Sequence, residues 1–322
     1  MQPPQLGIDI AQRRFAAALW FDSSRCAQAH FDNTPAGFRQ LARWLKQHFL
    51  GHVRAAVEAT STYADALLHY LHAAGHEVYL LNPEQVAHFA RSLGQRNKTD
   101  PADAVTIARF IAARAATPWA PPPPEQKILR SLTRTRQQLL DGVLLLRNQL
   151  RTADATARPH LQAVLRSAQL QLARILREIT AHVRAHPTLA AQVRRLCTCQ
   201  GVGLLTACIT LAELPPIHAH SDARALCAWS GLTPRRWQSG QHEGRSRLSR
   251  KGNAYLRQAL FMPALVAKRY NPLLQAFAQR LQASGKTHGA ILGAVSHKLL
   301  RILIGLLKSQ TDFDPNWTPN KS

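Results

Sequence analysis

Four carboxylates in the first third of this 322-residue chain have the types and spacing to hold divalent metal. Asp9 sits in the apolar run GIDI, and an acid inside an apolar strand is costly unless a cation or donor offsets it. Glu58 ends a second apolar run, VRAAVEAT. Asp100 and Asp103 lie in KTDPADA, where Pro101 suits the first turn of a helix. Their spacing of three puts both acids on one helical face. Four converging carboxylates repel one another unless Mg²⁺, or Mn²⁺ in its place, is bound. Two such ions clamp the attacking and leaving oxygens of a phosphodiester. Each acid also has a plainer reading: Asp100 as a helix cap, Asp103 as a solvated first-turn acid, Glu58 as the cap of the helix after it. As a set, in the strand order below, they favour a metal site.

A second centre is Arg235–Arg257, RRWQSGQHEGRSRLSRKGNAYLR. It holds seven basic residues and one acid, with Gly240, Gly244 and Gly252 interleaved. Arg235, Arg236, Arg245, Arg247, Arg250 and Lys251 make it a candidate phosphate-binding loop. Ser239 stands in Gln-Ser-Gly, with Ser246 and Ser249 as competitors, and composition does not choose a nucleophile among them. Nearby arginines suit the developing charge of phosphoryl transfer. Upstream, Gln200-Gly201-Val202-Gly203 separates two apolar helical stretches, like a helix-hairpin-helix. In such a turn the backbone N–H groups around Gly201 and Gly203 face a phosphate at the next helix N-terminus.

The elements that must position these residues follow from hydropathy. Leu6–Ile10, Phe15–Trp20 and Ala27–Phe31 are predicted as three antiparallel strands. A helix from Pro35 to Phe49, a strand Val53–Val57, a helix Thr60–Ala74 and a strand Glu77–Leu81 follow, and Pro83 opens another helix. This is the order of a ribonuclease-H-like mixed sheet, in which the first and fourth strands are neighbours and Asp9 can meet Glu58. The run Ala120–Pro124 is a stiff spacer. Beyond it, Leu161, Leu165, Ala168, Leu172, Ile175 and Ile179 recur with a period near 3.5, a coiled-coil seam, with Pro159 separating two arms. The domains expected are 1–124 for the acids, 125–190 for oligomerisation, and a mainly helical 191–322 carrying Ser239.

Composition sets the partners. Lys plus Arg is 41 against 18 acids, a net charge of +23, and 32 of the 41 are Arg. The arginine fork pairs with phosphates and guanines, so nucleic acid is the expected partner. The N-terminal 124 residues hold half the acids and carry only +3. With 46% apolar residues the chain builds real cores. No uninterrupted apolar run reaches membrane length; Leu299–Leu307 is short and holds Arg301. The N-terminus MQPPQLGIDI lacks the layout of a signal peptide, and five cysteines without repeated spacing argue against a disulfide framework. A cytoplasmic protein is expected. Fifteen histidines form no spaced set with cysteines, so no zinc site is expected. Trp229 is assigned to the core, and Trp237 is a candidate for stacking on a base.

Taken in order, these motifs resemble the insertion-sequence 110 family of DEDD transposases, described as bridge-RNA-guided recombinases. The resemblance spans nearly the whole chain: GIDI, VEAT, KTDPADA, LCTCQGVGLLTACITLAEL, ALCAWSGLTPR, QSG and KGNAYLRQAL. It implies a RuvC-like domain whose four acids are Asp9, Glu58, Asp100 and Asp103, holding Mg²⁺. It makes Ser239 the nucleophile that becomes linked to a 5′-phosphate. It also implies a structured guide RNA that pairs with donor and target DNA, subunits joined by the coiled coil into dimers, two dimers forming a tetramer, and Ser239 supplied by a partner subunit. Two departures stand out. Gln12 occupies a position where relatives commonly carry lysine, and Ser61 one where glycine is usual. The competing reading is a metal-dependent junction-resolving endonuclease, which uses the acids with water as nucleophile and leaves the QSG segment without a task. A third is a non-catalytic nucleic-acid scaffold.

Overall fold

The fold is that of a computed structural model describing residues 3–58, 62–94, 100–114, 116, 118–215, 217, 223–235, 238–239, 242–243, 247–249 and 252–316. The chain forms two compact units, Met1–Pro121 and Pro122–Ser322. The division falls within the proline run, where neither a helix nor a paired strand can continue.

The first unit is built on a five-stranded sheet. Strands β1 (Gln5–Ile10), β2 (Arg14–Trp20) and β3 (Cys26–Asp32) form an antiparallel meander. Strands β4 (Arg54–Glu58) and β5 (Glu77–Leu81) join in parallel on the other side of β1, giving the order β3-β2-β1-β4-β5. This is the mixed sheet expected, with β1 and β4 adjacent. Helix α1 (Pro35–His48) starts where the Thr34 hydroxyl accepts from the Gly37 N–H at 3.2 Å and Pro35 occupies the first turn. The expected helix after β4 is shorter than predicted: a 3₁₀ turn, Thr62–Ala64, precedes α2 (Asp65–Ala73). Asn82 caps α3 (Pro83–Ser92), accepting from the Glu84 N–H at 2.9 Å.

Strand alternation assigns the two faces. Leu6 and Ile8 of β1, with Ala55 and Val57 of β4, pack with Phe38, Leu41 and Leu45 of α1 and Leu67, Leu68 and Leu71 of α2. The opposite face carries Ala56, Tyr79 and Leu81 against Val86 of α3 and Ile107, Phe110 and Ile111 of α4 (Asp100–Ala113). Ala16 and Ala18 of β2 meet Ala104 of α4 on that same face.

The second unit is helical. Helices α5 (Pro124–Thr152) and α6 (Arg158–Ala185) form an antiparallel hairpin, in which His182 Nε2 near the end of α6 lies 2.8 Å from the Glu125 carbonyl at the start of α5. Pro159 does not separate the arms. It sits in the first turn of α6, where its missing N–H has no helical partner to lose. The break is the turn before it, where the Asp154 carboxylate accepts from the Thr156 and Ala157 N–H groups, both at 2.8 Å. Helices α7 (Pro187–Cys197), α8 (Leu204–Glu213), α9 (Ala223–Ser230), α10 (Ala254–Tyr270), α11 (Pro272–Ala283) and α12 (His288–Ser309) share one core with the base of the hairpin. By length and composition α12 is long and apolar enough to cross a membrane, yet 56% of its most apolar stretch is buried inside the protein. Two short ladders lie between α9 and α10. Strand β6 (Pro234–Arg235) pairs with β9 (Arg247–Leu248), and inside that pair β7 (Gln238–Ser239) pairs with β8 (His242–Glu243). All five cysteines are free thiols.

Candidate functional site

Register carries the first two acids. The last β1–β4 partners are Ile8 and Val57, so Asp9 and Glu58 are the next residue along each of two adjacent parallel strands. Asp9 is two residues beyond Gly7, and Glu58 two beyond Ala56, which packs on α4; a period of two gives both acids the α4 face. Both are partly buried. Gly7 shows why the helix comes so close. A Cβ there would collide with the Ala104 carbonyl and the Ala108 nitrogen, so only glycine lets α4 lie on β1. Asp103 immediately precedes Ala104 and is partly buried; Asp100 begins the helix. Asp9, Glu58 and Asp103 thus belong to elements packed on one face, and all three make interactions of their own.

Their donors are hard carboxylate oxygens, the kind Mg²⁺ and Mn²⁺ take. Among the described residues no three His, Cys, Asp or Glu side chains are grouped closely enough to hold an ion. The face assignment and the donor chemistry fit a divalent ion.

The second centre is described in part. Ser239 ends β7 and is the register partner of His242 in β8; Arg235 and Arg247 are register partners in the outer ladder. Arg236, Arg245, Arg250 and Lys251 lie outside the described residues, as do Trp237 and Ser246. The far end of the segment is anchored. The Ser249 N–H donates to the Thr233 carbonyl at 3.0 Å and its hydroxyl to the Gly231 carbonyl at 3.2 Å. Gly252 has φ +123°, and a Cβ there would strike the Trp229 carbonyl. Trp229 itself is 38% exposed, against the expectation of a core residue. Helix α9 buries Leu226, Cys227 and Ser230, a face that leaves Trp229 outward.

The glycine turn divides in role. Gly201 has φ +98°, and a Cβ would meet the Ala267 nitrogen at 2.8 Å and the Pro263 carbonyl at 2.9 Å, so it serves a close approach to α10. Gly203 is exposed and caps α8, with nothing within 4 Å of where its Cβ would be.

One constellation escaped the sequence reading. Glu213, buried at the end of α8, accepts two hydrogen bonds from the Arg134 guanidinium, at 2.7 and 2.8 Å, and one from the Asn253 amide at 2.6 Å. Arg134 also stacks over Tyr255, 4.6 Å from the ring centroid. One and two turns earlier on α5, Arg130 donates to the Ala212 carbonyl and Gln126 to the Leu211 and Leu214 carbonyls, at 2.6–2.7 Å. These donors satisfy carbonyls that the end of α8 would leave orphaned. Asn253 lies near the end of the basic segment and caps α10, so this buried carboxylate ties the hairpin to that end of the segment. The only signal in the sequence is one acid in the apolar stretch LLTACITLAEL.

Comparison with known proteins places the chain. A family model described as a transposase, of the DEDD type of IS110, matches residues 6–155. A second, described as the transposase IS116/IS110/IS902 family, matches residues 193–279. These define a transposase, an enzyme class that cuts DNA. The chain belongs to the insertion-sequence 110 family of transposases. Among its relatives, pilin gene-inverting proteins of Moraxella bovis and Moraxella lacunata are each 28% identical over 98% of both chains. A probable family 20 transposase of Pseudomonas aeruginosa is 26% identical over 75% of this chain and 80% of its own. Among solved structures, Thermus thermophilus RuvC is similar over 35% of this chain and 98% of its own, at 16% identity and a TM-score of 0.27.

Proposed function

We propose that the chain is a site-specific DNA recombinase in which Ser239 is the nucleophile and Asp9, Glu58, Asp100 and Asp103 are the metal ligands. The observation that carries this reading is the placement of Asp9 and Glu58 at the ends of adjacent parallel strands, on the face that Gly7 opens to the helix of Asp103. A divalent ion on these acids, Mg²⁺ or Mn²⁺, supplies Lewis acidity at the scissile phosphate. The Ser239 hydroxyl attacks phosphorus, a P–O bond to the 3′ oxygen breaks, and the serine proton ends on the released 3′-hydroxyl. An incoming 3′-hydroxyl reverses the step on another strand. Bond energy is conserved in the phosphoserine, in keeping with a sequence that has no GxxxxGK[ST] motif. Arg235, Arg236, Arg245, Arg247, Arg250 and Lys251, with the turn at Gly201 and Gly203, hold phosphates.

In this reading residues 1–124 are the metal domain, 125–190 join subunits through the helical hairpin, and 191–322 carry Ser239. A dimer assembles to a tetramer on donor and target DNA. A guide RNA sets the sites by base pairing, as in other RNA-directed systems. The working compartment is the bacterial cytoplasm, at the nucleoid. Relatives named for inverting a gene support exchange over cleavage alone, because an inversion rejoins every end it cuts.

The test is covalent capture. The protein is expressed with its native flanking DNA, so that any RNA is supplied, and with donor and target DNA. After denaturation, DNA bound to protein is mapped by peptide mass spectrometry. A phosphodiester on Ser239, lost in Ser239→Ala and in Asp9→Asn, is the expected result. Metal-dependent cleavage that survives Ser239→Ala would make water the nucleophile and the protein a junction-resolving endonuclease. Cleavage retained in Asp9→Asn would remove the metal site.

A further inference from the structure

The longest stretch of this chain without a carboxylate runs from 244 to 311, between Glu243 and Asp312, and holds twelve Lys and Arg residues. Part of that charge lies in the segment around Ser239. Another part gathers where α11 packs on α12. From α11, the Arg280 guanidinium carbon lies 5.5 Å from the centroid of the Phe277 ring. From α12, Lys298 Nζ lies 4.4 Å from the same centroid. Arg301 is three residues beyond Lys298, on the same helical face. Arg280 and Arg301 are exposed, and Lys298, His297 and Phe277 are partly so.

Neither helix contains an acid, and among the described residues none of these three cations is in an ion pair. Burial first, and then the charges of Arg280 and Arg301, holds the Lys298 ammonium below its ordinary value. His297 is held low by burial and then by Arg301. Like charges held around one aromatic ring repel each other, and an anion between them relieves that repulsion. The cations are spread over two helices and open to solvent, which suits the spaced phosphates of a polymer better than one small enclosed anion.

We infer that Arg280, Lys298 and Arg301 form a phosphate-binding patch for a nucleic-acid backbone, in addition to the Arg235–Arg257 segment. The patch concerns backbone binding and stands whether or not Ser239 is the nucleophile.

The experiment compares the full-length protein with Arg280→Gln/Lys298→Gln/Arg301→Gln. Fluorescence anisotropy follows a labelled duplex DNA and a labelled stem-loop RNA over a range of salt. A matched control, Arg39→Gln/Arg43→Gln/Lys46→Gln, removes the same charge from exposed positions on α1. Circular dichroism checks the fold, and the double variant Arg280→Gln/Arg301→Gln, which removes only the exposed charges, is measured beside the triple. The expected result is a ten- to hundred-fold weaker affinity near physiological salt, uniform across sequences, with the salt slope shallower by about 2 to 3. The arm that weakens identifies the backbone as DNA or RNA. Unchanged affinity and slope in both arms would overturn the patch, and so would an equal loss in the control. Covalent capture on Ser239 is read separately, so failure of the patch and failure of the serine chemistry are distinct outcomes.

Discussion

Glu213 is nearly sealed from solvent, its side chain 1% exposed, while its partner Arg134 is 35% exposed. A buried pair of this kind adds little net stability over an apolar substitute, but removing one partner strands the other. Glu213→Gln is therefore expected to lower the stability of the second unit by about 3 kcal/mol or more. Glu213→Leu/Arg134→Leu should cost less than the sum of the single changes, because neither charge is then left alone. Urea denaturation of the wild type, Glu213→Leu, Arg134→Leu and the double variant measures the coupling, and additive losses would show that the pair acts independently. The thiols give a second prediction. Burial pushes Cys199 and Cys208 up to about 12 from an ordinary value of 9.0. Cys199, Cys208 and Cys227 are buried, so a thiol reagent should label the exposed Cys26 and Cys197 and spare these three until the protein unfolds. A folded value above the unfolded one also means that this contribution to stability is complete below about pH 9 and is lost as pH rises toward 12. Individual residues were unequally legible. An acid inside GIDI announces itself by its local cost, whereas the role of Glu213 depends on a partner 79 residues away, which no local pattern encodes.

The α5–α6 hairpin shows the same limit for an element. The 3.5-residue period marks an apolar stripe, but a period does not say which helix covers it. In the fold the seam packs against α5 of the same chain: Ile175 and Ile179 are buried, and Leu161, Leu165, Ala168 and Leu172 are partly so. A second apolar set remains outside. Leu144 and Leu145 of α5 are 50% and 58% exposed, and Val164 and Leu170 of α6 are 55% and 69% exposed. The proposed subunit contact is therefore best tested at these outer positions, since Leu172→Asp would also disturb the hairpin itself. Leu145→Asp/Leu170→Asp should shift the assembly to smaller species in light scattering with helicity unchanged. Ile179→Asp should lose helicity, because it places a charge in the shared core. An outer double variant that keeps its mass in light scattering would move the contact elsewhere. Strand order was legible for a different reason: short alternating runs broken by turns leave few permitted sheets, and the parallel return of β4 beside β1 is one of them.

At the scale of the whole molecule, charge and the residues of the proposed chemistry are divided between the two units. Met1–Pro121 contains Asp9, Glu58, Asp100 and Asp103 but carries only +3 of the net charge of +23. Pro122–Ser322 contains Ser239 and carries the rest. Each unit has its own buried core, so each has the means to fold alone. The fragment 122–322 should melt cooperatively and keep most of the affinity and salt dependence of the full chain for duplex DNA. The fragment 1–121 should bind weakly, with a shallow slope, since its 12 basic residues are nearly balanced by 9 acids. Neither fragment alone should capture DNA covalently, because the proposed nucleophile and the proposed metal ligands are then on different molecules. Mixing the two tests the reading most directly. Capture restored by the mixture, and lost again when the 1–121 fragment carries Asp9→Asn, would show that the acids and the serine act on one phosphate. Capture by 122–322 alone would assign the chemistry to the second unit and leave the four acids a structural role.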